Sequence, residues 1–261
     1  MTNAAIEPLR VECARARDLF ATLTPDEWQS ASGCAGWRVQ DVAQHMASVF
    51  HTIADPTTID GGSSTDAEEN AEVPVQSRRG WTVKEVLAEY DEWSAKGVDA
   101  LAALQAPPMA DTVVPLGNLG SHPLHILANA IVFDHYCHLR HDIGATIDRA
   151  AALPRDAAAL DATLDWMLAG IPQMCATALV SCAQGVNLVF REDSERTDAL
   201  KPGAAGAAWT VSAGADAALP TAITTAHAFV SWGTKRADWR TSGVELSDPA
   251  AAFTLDAINV I

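Results

Sequence analysis

Apolar positions repeat at helical spacing through roughly the first 180 residues, then give way to short β-branched runs. Residues 5–23 place Leu9, Val11, Ala14, Leu19 and Phe20 among arginines and aspartates, which predicts a first helix. Thr24-Pro25-Asp26-Glu27 reads as a cap with a proline in the first turn, so a short helical turn starts there. From Val39 to about Ala54 the apolar residues Val39, Val42, Ala43, Met46, Phe50 and Ile53 form one stripe. Further helices are expected from about Thr82 to Leu104, from His122 to Ile147 with Pro123 in its first turn, and from Pro154 and Asp156 to about Leu179. Residues 55–79 and 106–121 lack periodicity, the first reading as a long, mobile surface loop and the second as an irregular connection.

Beyond residue 182 the runs GVNLVFRED, AAWTVSA and PTAITTA read as strands, followed by short helices near Ala226–Lys235 and Pro249–Asn259. The expectation is an α+β chain with a helical domain over 1–182 and a small α/β domain over 183–261. GWRVQDV at 36–42 and GWTVKEV at 80–86 look alike, but what they share is a helix-start signature.

Composition narrows the class. The chain has 261 residues, 49% hydrophobic and 19% charged, enough to bury a sizeable core. No apolar run reaches the roughly 18–20 residues that span a bilayer, and the N-terminus lacks a signal segment, so a cytoplasmic location is expected. A net charge of −16 repels phosphate backbones and anionic lipid, which argues against nucleic-acid and membrane partners. Cys13, Cys34, Cys137, Cys175 and Cys182 are scattered, with no CxxC pair, and read as reduced thiols.

The candidate chemistry lies in the helix over 122–147. Within IVFDHYCHLRHDI, Asp134 and His138 are one turn apart, offset by about 40° on a helix. Leu124, Leu127, Ala128, Ile131 and Leu139 define that helix's apolar stripe; His138 falls inside it and Asp134 at its edge. A carboxylate and an imidazole facing a core must be paired or ligated. Two other readings stay open: a simple hydrogen-bonded pair within one helix, or a solvated polar face that also includes His135, His141 and Asp142. His45, between Val42 and Val49 on the helix after the first GW, would complete a set of two imidazoles and one carboxylate suited to a divalent metal such as zinc.

GWRVQDVAQHM resembles the pattern GW-[ST]-V-x-D-[VL]-x-x-H-L, and DHYCHLRHDI resembles D-x-x-x-H-x-x-D-[LI]. Both patterns, in this order, are similar to those of the mycothiol-dependent maleylpyruvate isomerase-like proteins of the DinB/YfiT superfamily. The resemblance implies an N-terminal DinB-like four-helix bundle followed by a small α/β C-terminal domain. It also implies metal ligands at His45, Asp134 and His138, with aspartate standing where the isomerase is expected to carry glutamate. The alanine-rich composition fits an actinobacterial source.

The resemblance further implies mycothiol as thiol cofactor, a small electrophile as substrate, and an isomerase or S-transferase reaction. A non-catalytic metal- or small-molecule-binding protein is the alternative, and a metal-dependent hydrolase a weaker third. Within FVSWGTKRADWR, Arg236 is the nearest match to an arginine that assists at the related active site, although a solvated helix end explains those cations equally well. A monomer or homodimer is expected.

Overall fold

A computed structural model describes residues 3–203 and 207–261. The chain divides into two compact units, Met1–Pro154 and Arg155–Ile261. The sequence reading put the division near 182. The helix it assigned to the end of the bundle packs instead with elements of the second unit, against the strand at Thr210–Ala213 and the helix at Ala226–Gly233.

The first unit is helical. Its elements are α1 (Ile6–Phe20), α2 (Pro25–Gln29), α3 (Val39–Ala54), α4 (Ala67–Arg78) and α5 (Val83–Ala103). A small antiparallel hairpin, β1 (Val113–Pro115) with β2 (Ser121–Pro123), precedes α6 (Leu127–Cys137). A π-helical turn over His138–Ile143 and the short α7 (Asp148–Ala151) complete it. The expected single helix over 122–147 is therefore a strand, a 3-10 turn, an α-helix and a π turn in succession.

Both GW segments do open helices. The Asp41 carboxylate accepts from the Arg38 backbone N–H at 2.9 Å, and Glu85 accepts from that of Thr82 at 2.7 Å while donating its own N–H to the Thr82 hydroxyl. α3 lies against α5, and a side chain at Gly97 would collide with the fully buried Phe50, so glycine there sets how closely the two helices approach. Phe20, Phe50 and Tyr90 stack edge-on at the centre, with centroids 5.5 and 6.2 Å apart.

Residues 67–78, expected as loop, form α4. Asp66 caps it by accepting from Glu68 and Glu69 N–H groups. Tertiary bonds hold it: the buried Arg78 guanidinium donates to Glu89 at 2.7–3.0 Å, and Glu72 accepts from Trp37 Nε1 at 2.6 Å. A second buried pair ties α1 to the π turn. Arg140 donates to both oxygens of Glu12, at 2.8 and 3.0 Å, and to the Pro154 carbonyl, while it lies 3.9 Å from the Tyr136 ring.

The second unit carries α8 (Ala157–Met174), α9 (Ala176–Leu179), α10 (Ala226–Gly233) and α11 (Ala252–Ala257). Its sheet, among the described residues, runs β5 (Thr210–Ala213), β4 (Arg196–Lys201), β3 (Val186–Phe190), β6 (Thr221–Thr224), β7 (Glu245–Leu246). β3 is buried along its whole length, antiparallel to β4 and parallel to β6. No helix among the described residues is long and apolar enough to cross a membrane.

Both side chains of the Glu12–Arg140 pair are fully buried. Arg140→Ala leaves the buried Glu12 carboxylate to Arg15, which donates to it at 2.6 Å, and removes two buried charge-assisted hydrogen bonds, so it should destabilise the protein by about 1–3 kcal/mol. Urea unfolding measures it, and a midpoint equal to the parent's contradicts it.

Candidate metal centre

His45 is on α3, just over one turn past Asp41, which caps the helix start; Asp134 lies about two turns into α6, and His138 stands where α6 passes into the π turn. The fold brings the three together. His45 Nε2 is 3.1 Å from Asp134 Oδ1, and His138 Nε2 is 3.4 Å from the same oxygen. The two imidazoles meet edge-on, centroids 5.0 Å apart, and one donor atom from each residue lies within 4.8 Å of the others. The side chains are 11%, 16% and 12% exposed, so the cluster is mostly shielded yet reachable from solvent.

These separations fit a shared cation. Donors at about 2.0–2.2 Å from a tetrahedral zinc stand roughly 3.4 Å apart. The protein alone leaves the cluster under-satisfied. His45 Nδ1 is buried with no hydrogen-bond partner among the described residues, a cost of about 1–3 kcal/mol, and buried Asp134 Oδ2 has only the long 3.4 Å approach of His135 Nδ1.

Burial alone would raise the Asp134 carboxyl, but the His138 and His45 imidazoles outweigh it and hold the group well below the usual carboxylate range. Burial likewise pushes the His138 imidazole down, and the Asp134 charge more than reverses this, leaving it well above its ordinary value. The carboxylate is therefore ionised and ready to ligate.

The solvated-face reading does not hold. His135 and Asp142 are fully buried. His135 turns into the core, with Nε2 2.9 Å from the Tyr90 hydroxyl and Nδ1 3.1 Å from the Ile131 carbonyl. The Asp134–His138 contact within one helix exists, but His45 joins it from another. Asp142, treated from the sequence only as part of a polar face, bonds His138 Nδ1 through Oδ2 at 2.7 Å. Cys34 Sγ is 3.8 Å from that same nitrogen, which makes Cys34, His138 and Asp142 a second group of possible ligands. The signal for Asp142 was in the spacing: three residues separate it from His138, where the family pattern has two.

Trp37 lies against His45, ring centroids 5.3 Å apart, and is held by Glu72 from the unforeseen α4. Arg236 belongs to the second unit, exposed on the turn after α10, so the three-residue cluster is complete in the first unit without it.

Residues 9–143 match the mycothiol maleylpyruvate isomerase N-terminal domain family. Two solved chains share the fold. One is the mycothiol-dependent maleylpyruvate isomerase, 14% identical with a TM-score of 0.56; the other is a point mutant of that enzyme, 12% identical with a TM-score of 0.53. Each alignment covers 93% of this chain and 91% of the other. No curated protein matches.

The segment leading to Cys34 is clamped from below. Arg149 donates to both Glu27 oxygens at 2.6 and 2.7 Å, and the Thr146 hydroxyl donates to the Ala31 carbonyl at 2.9 Å. The Arg149 bonds, helped by the Thr24 backbone N–H, lower the Glu27 carboxyl to about 2. Its folded value lies below its unfolded one, so the clamp's stabilisation is present above about pH 4.5 and fades as pH falls toward 2. Arg149→Ala should return the Glu27 carboxyl toward its ordinary value in an NMR titration; an unmoved titration contradicts the clamp.

Proposed function

The chain belongs to the mycothiol maleylpyruvate isomerase N-terminal domain family, and on that premise we propose that it is a metal-dependent enzyme using a low-molecular-weight thiol, mycothiol, on an electrophilic small molecule. The observation that carries the reading is the convergence of His45, Asp134 and His138, with Asp134 Oδ1 3.1 and 3.4 Å from the two imidazole nitrogens and all three donors within 4.8 Å of one another. His45 Nε2, Asp134 Oδ1 and His138 Nε2 would hold a divalent cation, zinc being the best match to two imidazoles and a carboxylate. Three protein donors leave a position for an exogenous ligand, the arrangement of a catalytic rather than a structural zinc site.

A cation held there would acidify a coordinated thiol and so supply a thiolate nucleophile near neutral pH. The chain's own residues do the rest. The fixed carboxylate and imidazoles orient the site, and the Trp37 ring covers one side of His45. Thiolate addition to an activated double bond followed by elimination isomerises it, whereas addition without elimination conjugates the substrate. The proposal thus covers an isomerase and an S-transferase. Arg236 is assigned the expected role of neutralising a substrate carboxylate.

Two measurements test the proposal. Elemental analysis of the purified protein should give roughly one divalent ion per chain, lost in His45→Ala and in His138→Ala; unchanged content in either variant contradicts the ligand set. Metal-loaded protein should then act on a cis-unsaturated keto acid such as maleylpyruvate only when mycothiol is present, and chelation should abolish turnover. Full metal occupancy without turnover or thiol consumption would contradict the catalytic half. Arg236→Ala should raise KM for an anionic substrate and leave metal content unchanged.

A further inference from the structure

The π turn at His138–Ile143 is where the helix departs from regular geometry, and it lies beside the cluster. Gly144 N–H reaches back five residues to the Leu139 carbonyl at 3.1 Å, the bond that defines this wider turn. An α-helix offsets residues four apart by about 40°. The wider turn rotates less per residue, and residues four apart on it stay neighbours, as they are on an α-helix. Their side chains meet at 2.7 Å.

The Asp142 end is pinned from another segment. Gly33 N–H donates to the Asp142 carbonyl at 2.8 Å. A Cβ on Gly33 would stand 2.9 Å from Asp142 Oδ1, 3.0 Å from its Cα and 3.2 Å from the His141 carbonyl. Glycine is thus required for the segment before α3 to lie on the π turn. The Glu12–Arg140 pair fixes the same turn from α1.

We propose that Asp142, carried by the π turn and backed by Gly33, is a positioning residue that fixes the ring of His138 with Nε2 toward the cation. The inference rests on the ligand set proposed above. By accepting from Nδ1–H, the carboxylate selects the tautomer that leaves Nε2 free to ligate and makes that nitrogen more basic. A carboxylate behind a ligating imidazole contributes about 10–100-fold to metal affinity.

Zinc affinity of the full chain, measured by competition with a chromogenic chelator, tests this, together with the visible absorption of the cobalt-substituted protein. Asp142→Ala should weaken zinc binding about 10–100-fold while keeping the parent's stoichiometry at saturating zinc and a four-coordinate cobalt spectrum. Asp142→Asn, whose side-chain oxygen still accepts from Nδ1, should recover most of the affinity, which a loss of packing alone would not require. Gly33→Ala should weaken binding by displacing the carboxylate without touching a ligand. Parent-like affinity in Asp142→Ala, with zinc still lost in His45→Ala, overturns the positioning role and spares the ligand set. Zinc retained in His45→Ala but lost in Cys34→Ser and Asp142→Ala places the cation on Nδ1, and overturns both.

Discussion

A carboxylate held against two imidazoles, mostly away from water, is the constraint around which the helical unit is arranged. Asp134 cannot stay ionised in that place without positive charge beside it, because desolvation of a lone carboxylate costs several kcal/mol. His138 comes from the same helix and His45 from a helix far away in sequence, so the electrostatic requirement is met only when α3 and α6 are correctly placed. The same convergence that neutralises the carboxylate creates the donor spacing of a zinc site.

Two buried ion pairs serve that placement. Glu12 and Arg140 join α1 to the turn just beyond His138, and Arg78 with Glu89 holds α4 on α5. α4 in turn supplies Glu72 to Trp37, which lies on the His45 ring. Buried pairs add little net stability over apolar packing but are costly to break. Their role here is to fix geometry. Loosening either would move a group that touches the cluster, so sites well apart along the chain are coupled to it through the packing of their helices.

The helical unit was legible because its stripes are strong: Val39 to Phe50 reads as one buried face and is, while in the first helix Leu9, Leu19 and Phe20 are buried as expected but Ala14 is exposed, Cys13 and Ala16 being buried beside it. His45, Asp134 and His138 were legible as a set through spacing and family resemblance, since a stripe alone does not say which helix faces which. What was missed depends on long-range pairing. α4 has no apolar period and is ordered by Arg78–Glu89 and Glu72–Trp37, although Asp66 and the glutamates after it were a helix-start signal. β4 reads as polar because Arg196 is paired with Asp198 and Asp165. α8 is amphipathic from its sequence, but nothing in that pattern says that its partners are β5 and α10. Asp142 stands one turn past His138, as Asp134 stands one turn before it, and was missed because the sequence reading took it as part of a solvated face, whereas it is fully buried.

Zinc K-edge X-ray absorption on the thiol-free protein tests the central claim most directly, because it reads the donors around the cation. Two imidazole rings and further oxygen donors at about 2.0–2.2 Å, with no sulfur, are the expected shell for His45, Asp134 and His138. A sulfur at about 2.3 Å with a single imidazole would place the cation on Cys34, His138 and Asp142, and would contradict it.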